Sequence, residues 1–313
     1  MITLIFIQEI RWLGSIRGCL GLCVDAVAKL ISGSDYHTVI SMGGDGTFAE
    51  AAKAILKAQK GNQVRLGMLP AGTANDQGRS FGLRSGFAEL PRNITVLAKG
   101  HECGLDAGRI EALDSEGLHL REDYFFDSTG WGLSPRVLQL RNRNCRSVAQ
   151  VPVLRHVWKG RVVYAGALAR TFLGDCVSDA SFSADIVADG VKHSFERLTD
   201  LIVKGTRVYG GSWIFDKNAL PDDGKFEVVP FTGRRDWVAK AIVHHDYCPL
   251  PPKSAAGFSA ARMEFVFRPR GRRVPLLSQI DGEEFIASDR ARIEVLHRAI
   301  RLIVPAAYIG GDA

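Results

Sequence analysis

The sequence predicts an α/β domain followed by a β-rich domain, and three observations support this fold class. Strand-like apolar runs alternate with helix-like segments over roughly the first hundred residues, which is typical of a parallel sheet with crossover helices. Beyond about Asp106 the chain changes to short alternating runs bounded by Gly, Asp and Pro, which is typical of antiparallel sheets. Hydrophobic residues make up 46% of the 313 residues, enough for two packed cores.

The change in pattern predicts a domain boundary near residue 105. We therefore expect an α/β domain over residues 1–105 and a sandwich-like β-rich domain over residues 106–313. A return of the C-terminal segment to the first domain is left open.

Local patterns predict the elements of the first domain. β-branched and apolar residues at Ile2 to Ile7 indicate a buried strand. Helical spacing of apolar residues, closed by a Ser-Gly-Ser turn, indicates a helix over Cys19 to Ile31. The same patterns predict strands over Tyr36 to Met42 and Val64 to Leu69, a helix over Phe48 to Gln59 and a further element beginning at Ile94 to Ala98.

In the second domain, alternating apolar and polar residues predict a series of short strands. The predicted strands are Tyr124 to Ser128, Ser181 to Ala188, Leu198 to Lys204, Lys225 to Phe231, Met263 to Phe267 and Arg292 to Leu296.

Charge and cysteine content narrow the class of protein. The net charge of +6 and the isoelectric point of about 9.0 favour anionic partners such as phosphates, nucleotides or an acidic lipid surface. Six cysteines without a Cys-x-x-Cys pair fit a reducing cytoplasm better than a disulfide scaffold or a zinc site. The longest N-terminal apolar run, Ile2 to Ile7, is far shorter than the ~18 to 20 residues that cross a bilayer, and no secretion signal is evident. We expect a cytoplasmic protein.

A glycine-rich segment, Gly43-Gly44-Asp45-Gly46-Thr47, directly follows the second predicted strand. In open α/β sheets ligands bind at the carboxyl ends of strands, where tight glycine turns and helix N-termini present N–H groups to an anion. Asp45 would repel bare phosphate, so its presence suggests a bridging Mg²⁺. The alternative is an ordinary strand-to-helix turn in which Asp45 or Thr47 caps the helix.

A second polar segment, residues 70–76, ends the next predicted strand, so a parallel sheet can place it beside the first loop. Thr73, Asn75 and Asp76 offer a hydroxyl, an amide and a carboxylate to a sugar, a phosphate or a metal. Taken alone this segment could be a simple turn. The pair of segments is more specific than either one.

Together these segments resemble the catalytic domain of the diacylglycerol kinases and of the related bacterial lipid kinases. The resemblance rests on Gly43 to Glu50 and on Leu69 to Gly82. It continues through Tyr209 to Ser212 and Asn218 to Val228, where that family holds a structural Mg²⁺, and through Gln279 to Glu283, which is similar to the family's Asp-Gly-Glu motif.

The resemblance implies a role for each matching residue. Glu283 would be the base that takes the proton of a lipid hydroxyl, with Asp281 beside it. Leu220 and Lys225 would give backbone oxygens, and Asp223 a carboxylate, to a structural Mg²⁺; oxygen ligands suit this ion. Residues that would bind Mg²⁺ and ATP are Gly43, Gly44, Asp45, Gly46, Thr47, Gly72, Thr73, Asn75 and Asp76. Hairpin turns with solvated carboxylates are the alternative for Asp222 to Gly224 and for Asp281 to Glu283.

The sequence also departs from the family pattern. Only 42 residues precede Gly43, and no Asn-Pro-x-Ser-Gly segment is among them, so the family's first βα unit is expected to be missing. Ala49 replaces an Asn, Gln77-Gly78 replaces Phe-Ala, and Lys204 stands where the family often has an Asn.

A basic stretch from Arg136 to Arg161 contains no Asp or Glu and alternates with apolar residues. Such a segment can lie on an anionic membrane, although a solvated basic face is an equal alternative. The basic run Arg268 to Arg273 lacks the aromatic residues of nucleic-acid binders, so no nucleic-acid partner is expected.

The sequence therefore predicts an ATP-dependent lipid kinase that phosphorylates a hydroxyl of diacylglycerol or a related lipid at the membrane surface. It would be peripherally membrane-associated, and a homodimer is left open. The alternatives are a catalytically silent nucleotide- or lipid-binding paralogue and a kinase of a small non-lipid alcohol.

Overall fold

The computed structural model describes most of the chain. The described residues are 4–8, 20–33, 35–72, 75–149, 181–209, 213–214, 219–233, 236–237, 257–270 and 276–309.

The first elements alternate between strand and helix, as the sequence predicts. They are β1 (Leu4–Gln8), α1 (Leu20–Ser32), β2 (Thr38–Gly43), α2 (Asp45–Lys57), β3 (Arg65–Pro70), α3 (Asp76–Ser80), a 3₁₀ turn (Phe87–Glu89) and α4 (Leu90–Lys99). β2 pairs in parallel with both β1 and β3, because the intervening helices return the chain to the same edge of the sheet.

The rest of the described chain consists mainly of antiparallel strands. In order these are β4 (Glu102–Leu113), β5 (His119–Phe125), β6 (Ser128–Gly132), α5 (Leu133–Ala149), β7 (Phe182–Ala188), β8 (Val191–Leu198), β9 (Asp200–Lys204), β10 (Val208–Tyr209), β11 (Trp213–Ile214), β12 (Phe226–Phe231), β13 (Phe258–Ala260), β14 (Arg262–Pro269), β15 (Ser278–Ile280), β16 (Glu283–Phe285), β17 (Arg290–Ile303) and α6 (Ala306–Ile309).

The strands assemble into two large sheets. Among the described strands, nine form a mixed sheet with the order β1-β2-β3-β17-β14-β7-β8, in which β4 also pairs with β17 and β5 pairs with β4. Six others form an antiparallel sheet with the order β13-β12-β9-β6-β15-β16. The predicted fold class, a parallel α/β part followed by a β-rich part, is confirmed.

The strand β17 joins the two parts of the mixed sheet. Its end pairs in parallel with β3, where Arg301 lies opposite Arg65. Its beginning pairs antiparallel with β14, where Glu294 lies opposite Arg262. The C-terminal segment therefore contributes a strand to the sheet of the N-terminal elements.

Two main apolar clusters stabilise these layers. Phe48 and Ile55 of α2 pack with Leu302 of β17 in the α/β part, while Trp131 and Phe265 belong to the cluster between the β layers. Burying one such large apolar side chain contributes about 1.5–3 kcal/mol. The clusters fix α2 and the sheet ends that carry the predicted site.

One predicted strand is wrong. The sequence predicts a strand over Tyr124 to Ser128, but β5 ends at Phe125 and β6 begins at Ser128. The backbone bends at Phe126 and Asp127 because their N–H groups bond to the side chain of Asp281 instead of a neighbouring strand.

Candidate active site

The two glycine-rich loops lie side by side at the carboxyl ends of β2 and β3. Gly43 is opposite Pro70 in the parallel register, and the N–H of Ala71 donates to the Gly43 carbonyl oxygen at 2.8 Å. A Cβ atom at Gly72 would stand 2.3 Å from the Cα atom of Gly44. Only glycine permits this close approach, so the adjacency expected from the parallel sheet is present.

The carboxylate of Asp45 connects the two loops. Asp45 is the first residue of α2, and its Oδ1 accepts a hydrogen bond from the N–H of Gln77 at 3.0 Å. Burial raises the pKa of Asp45, while backbone N–H groups of residues 75–77 oppose the rise. Asp45 thus lies at the junction of α2 and α3.

The second loop is closed by Asn75. Its side-chain oxygen accepts the N–H of Gly72 at 2.9 Å, and its side-chain nitrogen donates to the carbonyl of Gly72 at 2.8 Å. Asn75 has a φ of 56°, a left-handed conformation that Asn tolerates. Both Asn75 and Asp76 are buried, and Thr73 lies outside the described residues. In this structure Asn75 shapes the loop.

The Asp-Gly-Glu segment forms a tight hairpin between β15 and β16. Asp281 and Gly282 have φ values of 47° and 75°, as a two-residue type I′ turn requires. Ile280 and Glu283 lie opposite each other across it. The backbone of this segment therefore adopts the hairpin turn that was the alternative interpretation of its sequence.

The carboxylate of Asp281, however, is not solvated. It accepts the N–H groups of Phe126 at 2.9 Å, Asp127 at 2.8 Å and Ser128 at 3.1 Å. Burial, followed by the charge of Asp127, raises the pKa of Asp281 to about 7, and the N–H groups and Lys53 oppose this rise. Asp281 anchors the hairpin, while Glu283 is exposed at its rim.

A cleft of about 670 Å³ separates α2 from this hairpin. Gly44, Gly46 and Thr47 line one wall, and Asp281 and Glu283 line the other. The structure thus brings the first glycine-rich motif and the Asp-Gly-Glu motif to one cleft, across more than 200 residues of sequence.

Two buried residues beside this cleft are not predicted as site residues by any sequence motif. Asp127 accepts hydrogen bonds from the hydroxyls of Thr206 and Ser128. Lys204, with no exposed surface, donates to the carbonyl of Arg207 at 2.6 Å. Burial raises the pKa of Asp127 to about 6; Thr206 and Lys204 oppose the rise and Asp45 adds to it. The replacement of the family's Asn by Lys204 was the one available signal.

The predicted structural Mg²⁺ segment lies away from the cleft, in the turn before β12. The Asp223 carboxylate accepts the N–H of Lys225 at 3.0 Å, and the N–H of Gly224 donates to buried Asp106 at 2.7 Å. Leu220 is half exposed. Backbone carbonyls and one carboxylate suit a hard cation chemically, although within the described ranges no cluster of three or more His, Cys, Asp or Glu could hold a metal.

The basic stretch from Arg136 to Arg161 is described only in part. α5 carries its beginning, and residues 150–180 lie outside the described residues. Among the helices that the structure describes, none combines the length and hydrophobicity of a bilayer span.

Residues 23–110 match the family model of the diacylglycerol kinase catalytic domain. The resemblance predicted from the sequence motifs is therefore confirmed over the segment that contains both glycine-rich loops.

Relatives and solved structures agree with this match. A diacylglycerol kinase of Mycobacterium tuberculosis is 30% identical over 209 residues, which cover 66% of this chain and 57% of the relative. A diacylglycerol kinase of Staphylococcus epidermidis is 38% identical over 77 residues, covering 25% of this chain and 23% of the relative. The chain thus matches little more than half the length of these relatives at most.

The crystal structure of a diacylglycerol kinase from Bacillus anthracis superposes with a TM-score of 0.62, at 15% identity, over 97% of both chains. At this identity the similarity establishes the fold.

Proposed function

We propose that this chain, which carries the diacylglycerol kinase catalytic-domain match, is an ATP-dependent lipid kinase. It transfers a phosphoryl group to a hydroxyl of diacylglycerol or a related lipid at a membrane surface. The observation that carries the proposal is the single cleft lined by Gly44, Gly46 and Thr47 of the first loop and by Glu283.

The α2 wall of the cleft suits the phosphates of a nucleotide. α2 begins at Asp45 without a side-chain cap on its first turn, so its N-terminal N–H groups and dipole can receive an anion. Asp45, the first residue of α2, would give a carboxylate to a Mg²⁺ ion on the phosphates. Bound Mg²⁺ would neutralise charge on the phosphates.

The hairpin wall suits the acceptor hydroxyl. Glu283 is exposed beside the cleft, so its carboxylate can take the proton of a hydroxyl that attacks phosphorus. Asp281 holds the hairpin through three backbone N–H groups and so acts as a positioning residue for Glu283.

A structural Mg²⁺ is proposed at the turn before β12. The Asp223 carboxylate and the backbone oxygens of Leu220 and Lys225 would hold it. Because the turn is already tied to Asp106, the ion would stiffen the connection between β12 and β4.

A lipid substrate stays in the bilayer, so the enzyme must bind the membrane surface. We propose that the basic stretch from Arg136 to Arg161 makes this contact. Each Lys or Arg near an anionic surface contributes about 1 kcal/mol. The protein would then be cytoplasmic and peripherally membrane-associated.

The proposed activity is tested by incubating the full chain with Mg²⁺, labelled ATP and diacylglycerol in mixed micelles, and in parallel with a total lipid extract. A labelled phospholipid supports the proposal. Nucleotide binding without any labelled product indicates a silent paralogue, and label only in a water-soluble alcohol indicates a small-molecule kinase; both results contradict it. Glu283→Gln protein, purified in the same way, is the matched control, because any label that it incorporates at the wild-type rate would come from a contaminating kinase.

A further inference from the structure

The cleft contains three linked charged residues to which the proposed mechanism gives no role. Lys53 of α2 pairs with Asp123 of β5, with 2.7 Å between Nζ and Oδ1. The Arg121 guanidinium lies 3.5 Å from Oδ2 of the same Asp123. All three residues line the cleft that contains Glu283. We refer to them as the Lys53-Asp123-Arg121 cluster.

The two cations of this cluster have defined positions. The side chains of Lys53 and Asp123 are only 21% and 19% exposed, so solvent screens their attraction less than in a surface pair. The Arg121 guanidinium carbon lies 5.1 Å from the centre of the Phe285 ring, within the range of a cation–π contact. Phe285 belongs to β16, the strand that begins at Glu283.

Lys53 lies on the helix of the first glycine-rich loop, and Arg121 lies against the hairpin that carries Glu283. Gly46 and Lys53 line the cleft from the same helix, about 10 Å apart along its axis at 1.5 Å per residue. Long helical side chains lie over the turn that precedes them, which favours an approach of the Lys53 ammonium toward the phosphate end of α2. Arg121 instead contacts the hairpin that carries Glu283.

The other charged residues of the cleft are mostly acidic. One further lysine, Lys57, lines the cleft together with Asp25, Glu50, Asp281, Glu283 and Glu284, and carboxylates repel a phosphoryl group that approaches the acceptor. Lys53, whose side chain is 21% exposed, counters this repulsion more strongly than a cation in water, whereas Arg121, whose side chain is 54% exposed, is screened more and contributes less.

We propose that Lys53 and Arg121 contact the phosphoryl group during its transfer and stabilise its charge, and that Asp123 positions both cations. The proposal rests on the proposed kinase function. In the step, the bond from the terminal phosphorus to the nucleotide oxygen breaks and a bond to the acceptor oxygen forms. The acceptor proton goes to Glu283, and the nucleotide leaves as the diphosphate. Lys53 and Arg121 donate hydrogen bonds and neither gains nor loses a proton.

The test compares Lys53→Met, Lys53→Arg and Arg121→Gln in the diacylglycerol assay. Loss of one charge-stabilising donor typically lowers kcat by about 10²-fold, so we expect that loss for Lys53→Met and a smaller loss for the more exposed Arg121→Gln, with most of the rate recovered in Lys53→Arg. Lys99→Met is the control, because Lys99 is an exposed lysine at the end of α4 and does not line the cleft. It should keep its rate. Wild-type kcat in Lys53→Met, or equal losses in Lys53→Met and Lys99→Met, would overturn the proposal.

A binding measurement separates this proposal from the kinase function itself. Calorimetry compares the affinities for Mg²⁺-ADP and for a non-hydrolysable Mg²⁺-ATP analogue, which differ by the terminal phosphate. We expect Lys53→Met to weaken the analogue and to leave ADP unchanged, even if diacylglycerol proves not to be the acceptor. Equal effects on both nucleotides, or no effect on either, would contradict contact with the terminal phosphate. Unchanged thermal stability of the variants excludes a folding defect.

Discussion

The carboxylate of Asp281 accepts the backbone N–H of Asp127 at 2.8 Å, across 154 residues of sequence. This bond places two acidic side chains in one enclosed region beside the cleft. Burial raises the pKa of both carboxyl groups, and the charge of Asp127 further raises the pKa of Asp281. Burial is the larger cause for both residues. The relationship has a direct consequence for stability.

Stability should fall as pH rises from about 5 to 8. Burial raises the pKa values of Asp127, of Asp281 and of Asp200, the fully buried first residue of β9, from 3.8 to about 6, about 7 and about 7. In this window the folded state retains protons that the unfolded state has released, so the free energy of unfolding decreases with pH. Urea denaturation at pH 5, 6.5 and 8 measures this trend. Asp127→Asn should flatten it, and a stability that increases over the same range would contradict the assignment.

Asp45→Asn should abolish turnover while leaving the fold intact. The amide oxygen can still accept the N–H of Gln77, which Asp45 bonds at 3.0 Å, but the charge that would hold Mg²⁺ is lost. The melting temperature and the activity of wild-type and variant protein provide the comparison. An active Asp45→Asn enzyme would exclude a role for this carboxylate in catalysis.

Glu283→Gln should lower kcat by about 10²- to 10⁴-fold, because a positioned general base typically contributes that factor. Glu283 lies at the exposed rim of the hairpin, so nucleotide affinity and stability should not change. Glu284→Gln, on the neighbouring residue, is the control and should retain activity. A loss confined to nucleotide affinity would move Glu283 to the nucleotide site.

Gly72→Ala should destabilise the protein by about 1–3 kcal/mol, the usual cost of overpacking. The new Cβ would stand 2.3 Å from the Cα of Gly44, whereas a Cβ at Gly46 would meet nothing within 4 Å. Gly46→Ala is therefore the matched control and should be neutral or stabilising, since Ala favours the helix. Chemical denaturation measures the free energy of unfolding of both variants. Equal stability of the two would contradict the close approach of the loops.

Reversing three charges in the basic stretch should weaken membrane contact. Arg141, Arg143 and Arg146 changed together to Glu should lower sedimentation with anionic vesicles, and salt should lower wild-type binding because it screens surface charge. ATP binding and turnover in mixed micelles should persist. Equal binding by wild type and variant at low and high salt would assign this segment to an ordinary solvated face.

Local patterns predicted those parts of the fold that short-range rules determine. β2, α2 and β3 lie within a few residues of their predicted bounds, because strand and helix periods are written in consecutive residues. Their loops meet as expected because parallel neighbours end at one edge.

Local patterns do not predict contacts between residues that are far apart in the sequence. Asp127 sits in an apolar run that predicts a continuous strand, and the bend there depends on Asp281. The ion pair of Lys53 with Asp123 joins a helix to a strand of a different predicted domain. No residue spacing in the sequence predicts this contact.

The pairing of β17 with β3 has a consequence for how the protein is made. The edge of β3 acquires its partner when Arg301 reaches Arg65, roughly 240 residues later in the chain. At a synthesis rate of about 5–20 residues per second, the ribosome needs about 12–48 s to supply that strand. Until then an apolar strand edge is open to pairing with other chains. Folding should therefore be slow, since contacts of high sequence separation limit its rate, and expression yield should depend on chaperones that shield β3.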